Sequence, residues 1–436
     1  MDTKTLGIIC LNSTADIYIH FYKNEYKYYN VNIKSFNLSK LINLLLSIIR
    51  GIIISRRLLT GGQNMINRKP FIKWAGGKEK EWPIIKENLP KEFSRYVEPF
   101  VGGGAVYLNV DCSNSVINDK SDELILLYKL IKKGSLEFFK SLNEINKNWI
   151  FLQEIVEKNC NELLNLYSKY KNDNDSLNEL INVFMKSHSK EFDKLLRDEV
   201  DINLYNLNIE FNKNLKSKIS RMFKIEIQKG RMSDTDIMAN IETAFKSAYY
   251  MYFRYLYNNR KKLKLSDEFY CAVFYFIRDY CYAAMFRYNA NGEFNVPYGG
   301  ISYNRKDFNK KIEYLSSESL KSYMGNTKIY CYDFEKFCDK VELTENDFMF
   351  LDPPYDTEFS TYAKNDFDKD DQIRLANYLK NTKAKFMLVI KNTDFIYSLY
   401  KNCGFNIRSF DKKYLVSFMN RNDKKVEHLL ITNYDI

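Results

Sequence analysis

Apolar and polar positions change their spacing along this chain, and the changes divide it into elements. Arg95-Tyr96-Val97-Glu98 alternates as a short strand, Phe100 to Gly104 forms a glycine turn, Ala105 to Asn109 reads as a helix, and Ser115 to Ile117 reads as the next strand. Asn118-Asp119 closes that strand, and Ser121 to Ile131 follows at helical spacing. Such a βαβ opening predicts a doubly wound, mainly parallel sheet. From about residue 134 to 280 the spacing stays helical, with Asn- and Lys-rich interruptions such as Lys171 to Asp175, so this stretch is expected to be an insertion outside the sheet. Alternation then resumes: Asp347 to Leu351 as an apolar strand, Lys369 to Asn381 as a helix, Phe386 to Ile390 as a strand and Phe395 to Lys401 as a helix. Phe405 to Phe418 and Val426 to Thr432 are expected to pair as a terminal antiparallel unit.

Residues 1–64 carry no motif and end in Thr60-Gly61-Gly62-Gln63-Asn64, immediately before Met65. Two expectations compete here: a translated leader ahead of a natural start at Met65, or an amphipathic appendage carried by Leu41 to Ile54. That apolar run is interrupted by Arg50 and is shorter than the ~20 residues of a spanning helix. It also begins too late for an ordinary signal peptide, so a cytoplasmic protein is expected.

Composition changes this picture little. The 436 residues suffice for a substantial core and exceed one average domain. A net charge of +11, with Lys interleaved among 34 Tyr and 31 Phe, suits a polyanionic partner. An AT-rich genome would produce the same bias. The eight Cys include no C-x-x-C and the three His are far apart in sequence, so no metal site and no disulfide framework are expected, and the compartment is reducing.

Chemistry is concentrated in three places. Glu98-Pro99-Phe100-Val101-Gly102-Gly103-Gly104-Ala105 puts successive glycines after a strand, which lets backbone approach a ligand closely. Asp119, at the end of the next strand, is placed to accept from ribose hydroxyls; alone it would be an ordinary helix cap. In Phe71-Ile72-Lys73-Trp74-Ala75-Gly76-Gly77-Lys78, a phosphate-binding loop is the rival reading, but Glu79 stands where Ser or Thr is needed and no Gly lies five residues before Gly77.

The third place is Phe348-Met349-Phe350-Leu351-Asp352-Pro353-Pro354-Tyr355. Two prolines after a buried strand remove two backbone donors and fix an extended turn. The Asp352 carboxylate and the Pro353 carbonyl then form a pair of acceptors for the two hydrogens of an exocyclic amine, biasing its nitrogen toward a tetrahedral lone pair. Tyr355 supplies an aromatic face for an extruded base.

In this order, the three elements resemble the Dam-like (D12 class) family of adenine-specific DNA methyltransferases. The likeness runs discontinuously from Lys69 to Tyr434 and is strongest at Lys69 to Lys78, Tyr96 to Ala105, Asn118 to Leu130, Phe286 to Tyr298, Leu351 to Tyr355 and Lys425 to Asn433. It implies an α/β fold: a Rossmann-like S-adenosyl-methionine-dependent methyltransferase sheet with an inserted, mostly helical target-recognition domain. The divisions expected are an extension over 1–64, a catalytic and cofactor-binding domain over 65–133 and 326–436, and a DNA target-recognition insertion over 134–325. The resemblance further implies that Trp74, Lys78, Asp119 and Asp352 contact S-adenosyl methionine. Glu98, Phe100, Gly102 and Gly104 complete that cofactor site, and Asp352, Pro353, Pro354 and Tyr355 form the pocket that methylates N6 of a flipped adenine in double-stranded DNA.

The stretch from Arg287-Tyr288-Asn289 to Gly299 resembles the family's segment that reaches into DNA, making Arg287, Asn289, Asn295, Pro297 and Tyr298 the candidate DNA contacts. Arg287 suits a bidentate contact to guanine, or equally a phosphate. One departure matters. Several GATC-modifying relatives carry Asn-Gly-Leu where this chain has Ala283-Ala284-Met285, so a GATC target does not follow. The expected setting is a monomeric, cytoplasmic enzyme of bacterial or phage restriction-modification, with no metal and no membrane. The alternatives are an N4-cytosine or RNA methyltransferase using the same amine chemistry, and a DNA-binding protein without turnover.

Overall fold

Two short strands, β1 (Ile9–Leu11) and β2 (Ile17–Ile19), pair antiparallel within residues 1–66, a unit separate from residues 67–436. The computed structural model describes residues 9–11, 17–19, 68–172, 176–196, 204–285, 287–355, 367–413 and 425–435. Apart from β1 and β2, the expectations for residues 1–64, including the Leu41 to Ile54 run, lie outside the described residues.

Residues 67–436 are organised by a seven-stranded sheet. Its strands are β3 (Arg95–Glu98), β4 (Ser115–Asn118), β5 (Lys328–Tyr330), β6 (Asp347–Leu351), β7 (Lys385–Lys391), β8 (Asn406–Lys413) and β9 (Lys425–Thr432), in the order β5-β4-β3-β6-β7-β9-β8. β5 to β7 run parallel, while β9 inserts antiparallel between β7 and β8. Every residue of β4 and β6 is buried, as expected for strands covered on both faces.

Alternate side chains of β6 and β7 enter opposite cores. Phe348, Phe350, Met387 and Val389 join the core that runs through the helices between residues 122 and 324. Met349, Leu351, Leu388 and Ile390 face the helices Phe334–Val341, Lys369–Asn381 and Asp394–Tyr400. The long helices Leu136–Lys158, Leu204–Lys229, Asp234–Asn258 and Asp267–Tyr280 thus share a continuous core with one face of the sheet. Among the described residues no helix is long and apolar enough to cross a membrane.

Two expectations are corrected and one rival reading is set aside. Ala105 to Asn109 is a series of turns rather than a helix: the Asn109 N–H reaches only Val106, and its side-chain amide is bonded to Arg68 and Ala105 instead. Asp119 does not cap the following helix, Asp122–Lys133, because Ser121 does, accepting from the Leu124 N–H. The penultimate strand starts at Asn406, not Phe405; residues 414–418 of that expectation lie outside the described residues.

Candidate active site

The strand order reverses between β3 and β6, leaving a crevice at their carboxyl ends where an α/β sheet can receive a ligand. A cavity of about 860 Å³ lies there, within the range of small-molecule sites. Trp74, Lys78, Glu98, Phe100, Gly102, Asp119, Asp352, Pro353, Pro354 and Tyr355 all line it. Gly104 does not; it packs behind the loop, where an added Cβ would come within 2.5 Å of the Tyr128 hydroxyl.

Each wall is held by contacts distant in sequence. The Tyr128 hydroxyl donates to the Gly102 carbonyl (3.0 Å), and the Gly102 N–H donates to Asp119 Oδ2 (3.0 Å). Gly102 has φ +47, and a Cβ there would meet the Trp74 ring at 2.9 Å, so the loop can lie against the 70–78 segment only as glycine. Asn118, fully buried, donates to the carbonyls of Pro99 (2.9 Å) and Tyr332 (3.0 Å) and accepts from the Tyr332 N–H (2.8 Å). One side chain thereby joins the loops that follow β3, β4 and β5.

At the end of β6, Lys78 Nζ forms an ion pair with Asp352 and donates to the Gly76 carbonyl (2.9 Å) and the Tyr355 hydroxyl (3.0 Å). Lys78 is 2% exposed, so its ammonium lies inside the site. Buried Gln372 donates to the Pro354 carbonyl (2.9 Å), holding the double-proline turn from behind.

Burial governs the acids. Glu98 is held well above the usual carboxylate range, first by burial and then by the charges of Asp352 and Asp119, against the opposing hydrogen bond from Tyr96 (2.6 Å). Burial also raises Asp119, while the N–H groups of Ser121 and Gly102 oppose the shift. Asp333 moves down because Arg374 grips it with two bonds, of 2.7 and 2.9 Å.

Sequence reasoning missed Asp333, Phe334 and Phe367 on this cavity. Phe100, Phe334 and Phe367 cluster with ring centroids 5.6–5.9 Å apart, an aromatic wall suited to a flat heterocycle. No local pattern marked the missed residues: Asp333 lies beyond β5, which ends at Tyr330 and is only partly covered, and it caps the helix Phe334–Val341 by accepting from the Glu335 N–H.

The candidate DNA contacts lie on a small hairpin beyond the cavity. Tyr288 and Phe294 form an isolated bridge, Arg287 donates to Asn295 Oδ1 (2.8 Å), and Asn289 donates to Glu293 Oε2 (2.8 Å). Arg287 and Pro297 are exposed. Tyr298 stands apart from them: it is 7% exposed, its hydroxyl donates to Asn304 (2.9 Å), and its ring packs on Trp149. Arg278 links hairpin and cavity, donating to the carbonyls of Met285 (2.6 Å), Ala284 (3.1 Å) and Lys73 (3.4 Å).

A glycine turn after β3 and an Asp-Pro-Pro-Tyr turn after the adjacent, parallel β6 define an α/β protein whose ligand cavity lies at a topological switch point. The sequence model of the D12 class N6 adenine-specific DNA methyltransferases matches residues 74–416, and the chain belongs to that family. It is similar to the Type II methyltransferase M.MjaIII of Methanocaldococcus jannaschii, with 30% identity over 84% of this chain and 99% of that protein. It is also similar to the Type II methyltransferase M.CviBI of Paramecium bursaria Chlorella virus NC1A (27% identity; 84% and 100% covered) and to the DNA adenine methylase of Escherichia coli K12 (25%; 76% and 82%).

Proposed function

We propose that this adenine-specific DNA methyltransferase holds S-adenosyl methionine between the glycine loop and the Asp-Pro-Pro-Tyr turn, and acts on a base flipped from double-stranded DNA. The observation that carries the reading is the convergence of Lys78, Asp352 and Tyr355 on a cavity that also has an aromatic and acidic lining. A cationic nucleoside fits that lining. The Phe100, Phe334 and Phe367 rings suit its purine, Asp119 its ribose, and Glu98 a positive charge. When bound, the cofactor supplies a methyl group activated as a sulfonium.

The protein's own part is orientation. The Asp352 carboxylate and the Pro353 carbonyl accept the two N6 hydrogens of the target adenine, which turns the nitrogen lone pair out of the ring plane. Lys78 sets a positive charge against Asp352, and the Tyr355 ring provides the stacking face. After transfer the nitrogen carries an excess proton, and Asp352 is the base within reach of it. The 287–297 hairpin reads the target within a recognition region spanning residues 134–325; its exposed Arg287 and turn geometry support this role.

The test is expression in a methylation-free bacterial host, with modified bases mapped genome-wide by single-molecule sequencing, alongside Asp352→Ala. N6-methyladenine at one recurring motif, absent in the variant, is expected. Methylation persisting in the variant would overturn the assignment of Asp352, and N4-methylcytosine the assignment of the base.

A further inference from the structure

His428 is one of three histidines in the chain, and it is fully buried in β9 between strand partners Lys391 and Phe410. Its neighbours Leu429, Leu430 and Ile431 show what this strand otherwise selects. A buried imidazole is unfavourable without a partner, and this one has a partner in the active site: Nε2 lies 3.1 Å from the Tyr355 hydroxyl. The two rings meet edge to face, 5.4 Å apart at 63°.

The Tyr355 hydroxyl is therefore held from two sides, since Lys78 Nζ donates to the same oxygen at 3.0 Å. Lysine can only donate. A neutral imidazole accepting at Nε2 takes the phenol hydrogen, whereas a donating Nε2–H would give the phenol oxygen a second donor. In either tautomer the far end of the side chain is anchored to β9 as well as to the 70–78 segment. A tyrosine ring fixed at its backbone and at its hydroxyl cannot swing about χ1, so its face keeps one direction toward the cavity.

We propose that His428 is a positioning residue for the reaction, acting through Tyr355: it holds the ring in the orientation that stacks the flipped adenine. This rests on the reading of Tyr355 as the stacking face. His428 touches neither base nor cofactor in this role, and its effect is confined to the step that Tyr355 serves. Because misplacement by about 1 Å can cost about a hundredfold in rate, loss of one of two anchors is expected to lower kcat by roughly tenfold.

The experiment uses the full chain and a duplex carrying the mapped motif, with 2-aminopurine in place of the target adenine for fluorescence and the natural base for kinetics. Tyr355→Ala should raise emission, because the extruded base loses its quenching partner. His428→Leu should move emission toward that of Tyr355→Ala and lower kcat about tenfold, with the KM for cofactor within about twofold of the parent. His428→Gln, which keeps a side-chain hydrogen-bonding group, should recover most of the loss. Tyr355→Phe removes the anchored hydroxyl, so His428→Leu should add little on that background. A His428→Leu effect of equal size with and without the hydroxyl would mark a general structural role and overturn the inference. So would parental emission and kcat in His428→Leu while Tyr355→Ala is impaired. Parental behaviour of Tyr355→Ala itself would instead sink the stacking reading on which the inference depends.

Discussion

The cavity at the strand ends and the 287–297 hairpin are both polar, but their polar groups are held in opposite ways. In the cavity Lys78, Asn118, Asp119 and Asp352 are tied to residues far off in the chain, and three of the four are nearly or fully buried. On the hairpin Arg287, Asn289 and Asn295 bond to residues within eight positions of themselves and face solvent or its edge. Buried polar groups must be satisfied by the fold, so their geometry exists before substrate arrives. Exposed ones can exchange a local bond for a base edge at small cost. On the proposed division of roles, the chemistry is preorganised, while recognition can vary with little effect on the fold.

The largest effect that comparison predicts is at Asp352. Asp352→Ala should lower methyl transfer by at least about a hundredfold, because it deletes an acceptor set where charge develops, while DNA binding in a mobility-shift assay stays measurable. Loss of binding with chemistry intact at saturating DNA would reverse the division between the two regions. Arg287→Ala should act the other way round. A discrimination loss of about 1–3 kcal/mol at one base position is expected, read as relaxed motif preference by sequencing. An unchanged preference with a shallower salt dependence would make Arg287 a phosphate contact.

Glu98 tests whether preorganisation in the cavity carries a pH signature. Its folded-state value is raised, chiefly by burial, so its contribution to stability is full below the ordinary carboxylate range and is lost as pH rises through the raised value. Glu98→Gln should therefore gain thermal stability relative to the parent as pH increases. A bound cation beside Glu98 favours its ionised form, so cofactor affinity of the parent should rise with pH by no more than about tenfold per unit, and that of Glu98→Gln, which keeps only the raised Asp119, should rise less steeply. Calorimetric titration at several pH values measures both slopes; equal slopes would remove Glu98 from the cofactor site.

What could be read from the chain follows the same division. β3 and β6 were legible to the residue, because short apolar runs end in Glu98-Pro99 and Asp352-Pro353. β5 was not, since its three residues are only partly covered and begin with Lys328. Lys78, Asp119 and Asp352 could be singled out because each sits in or directly after a short local motif, and the fold brings all three onto one cavity. Asn118, Gln372 and His428 acquire their tasks from partners up to 214 positions away, which no local pattern encodes. Tyr298 shows the converse. It shares the hairpin's sequence signature, yet the fold turns it into the core against Trp149.

Ala283-Ala284, the corner between the two regions, carries the smallest prediction and marks where they join. Both residues have φ 52, a left-handed conformation that costs alanine roughly 1–2 kcal/mol. Arg278 holds that corner by donating to the Ala284 and Met285 carbonyls. Glycine would remove the clash of Cβ with the backbone but would also give the unfolded chain more freedom, worth about 0.4–1 kcal/mol. The two terms oppose each other, and the relief is the larger. Ala284→Gly should therefore raise the melting temperature slightly, by no more than about 2 °C for a unit of this size, whereas Ala284→Val should lower it by more, since branching at Cβ worsens the same contact. A melting temperature that falls with glycine would mean that the gain in unfolded-chain freedom outweighs the strain at this corner, and that the left-handed pair is not a measurable cost to the fold.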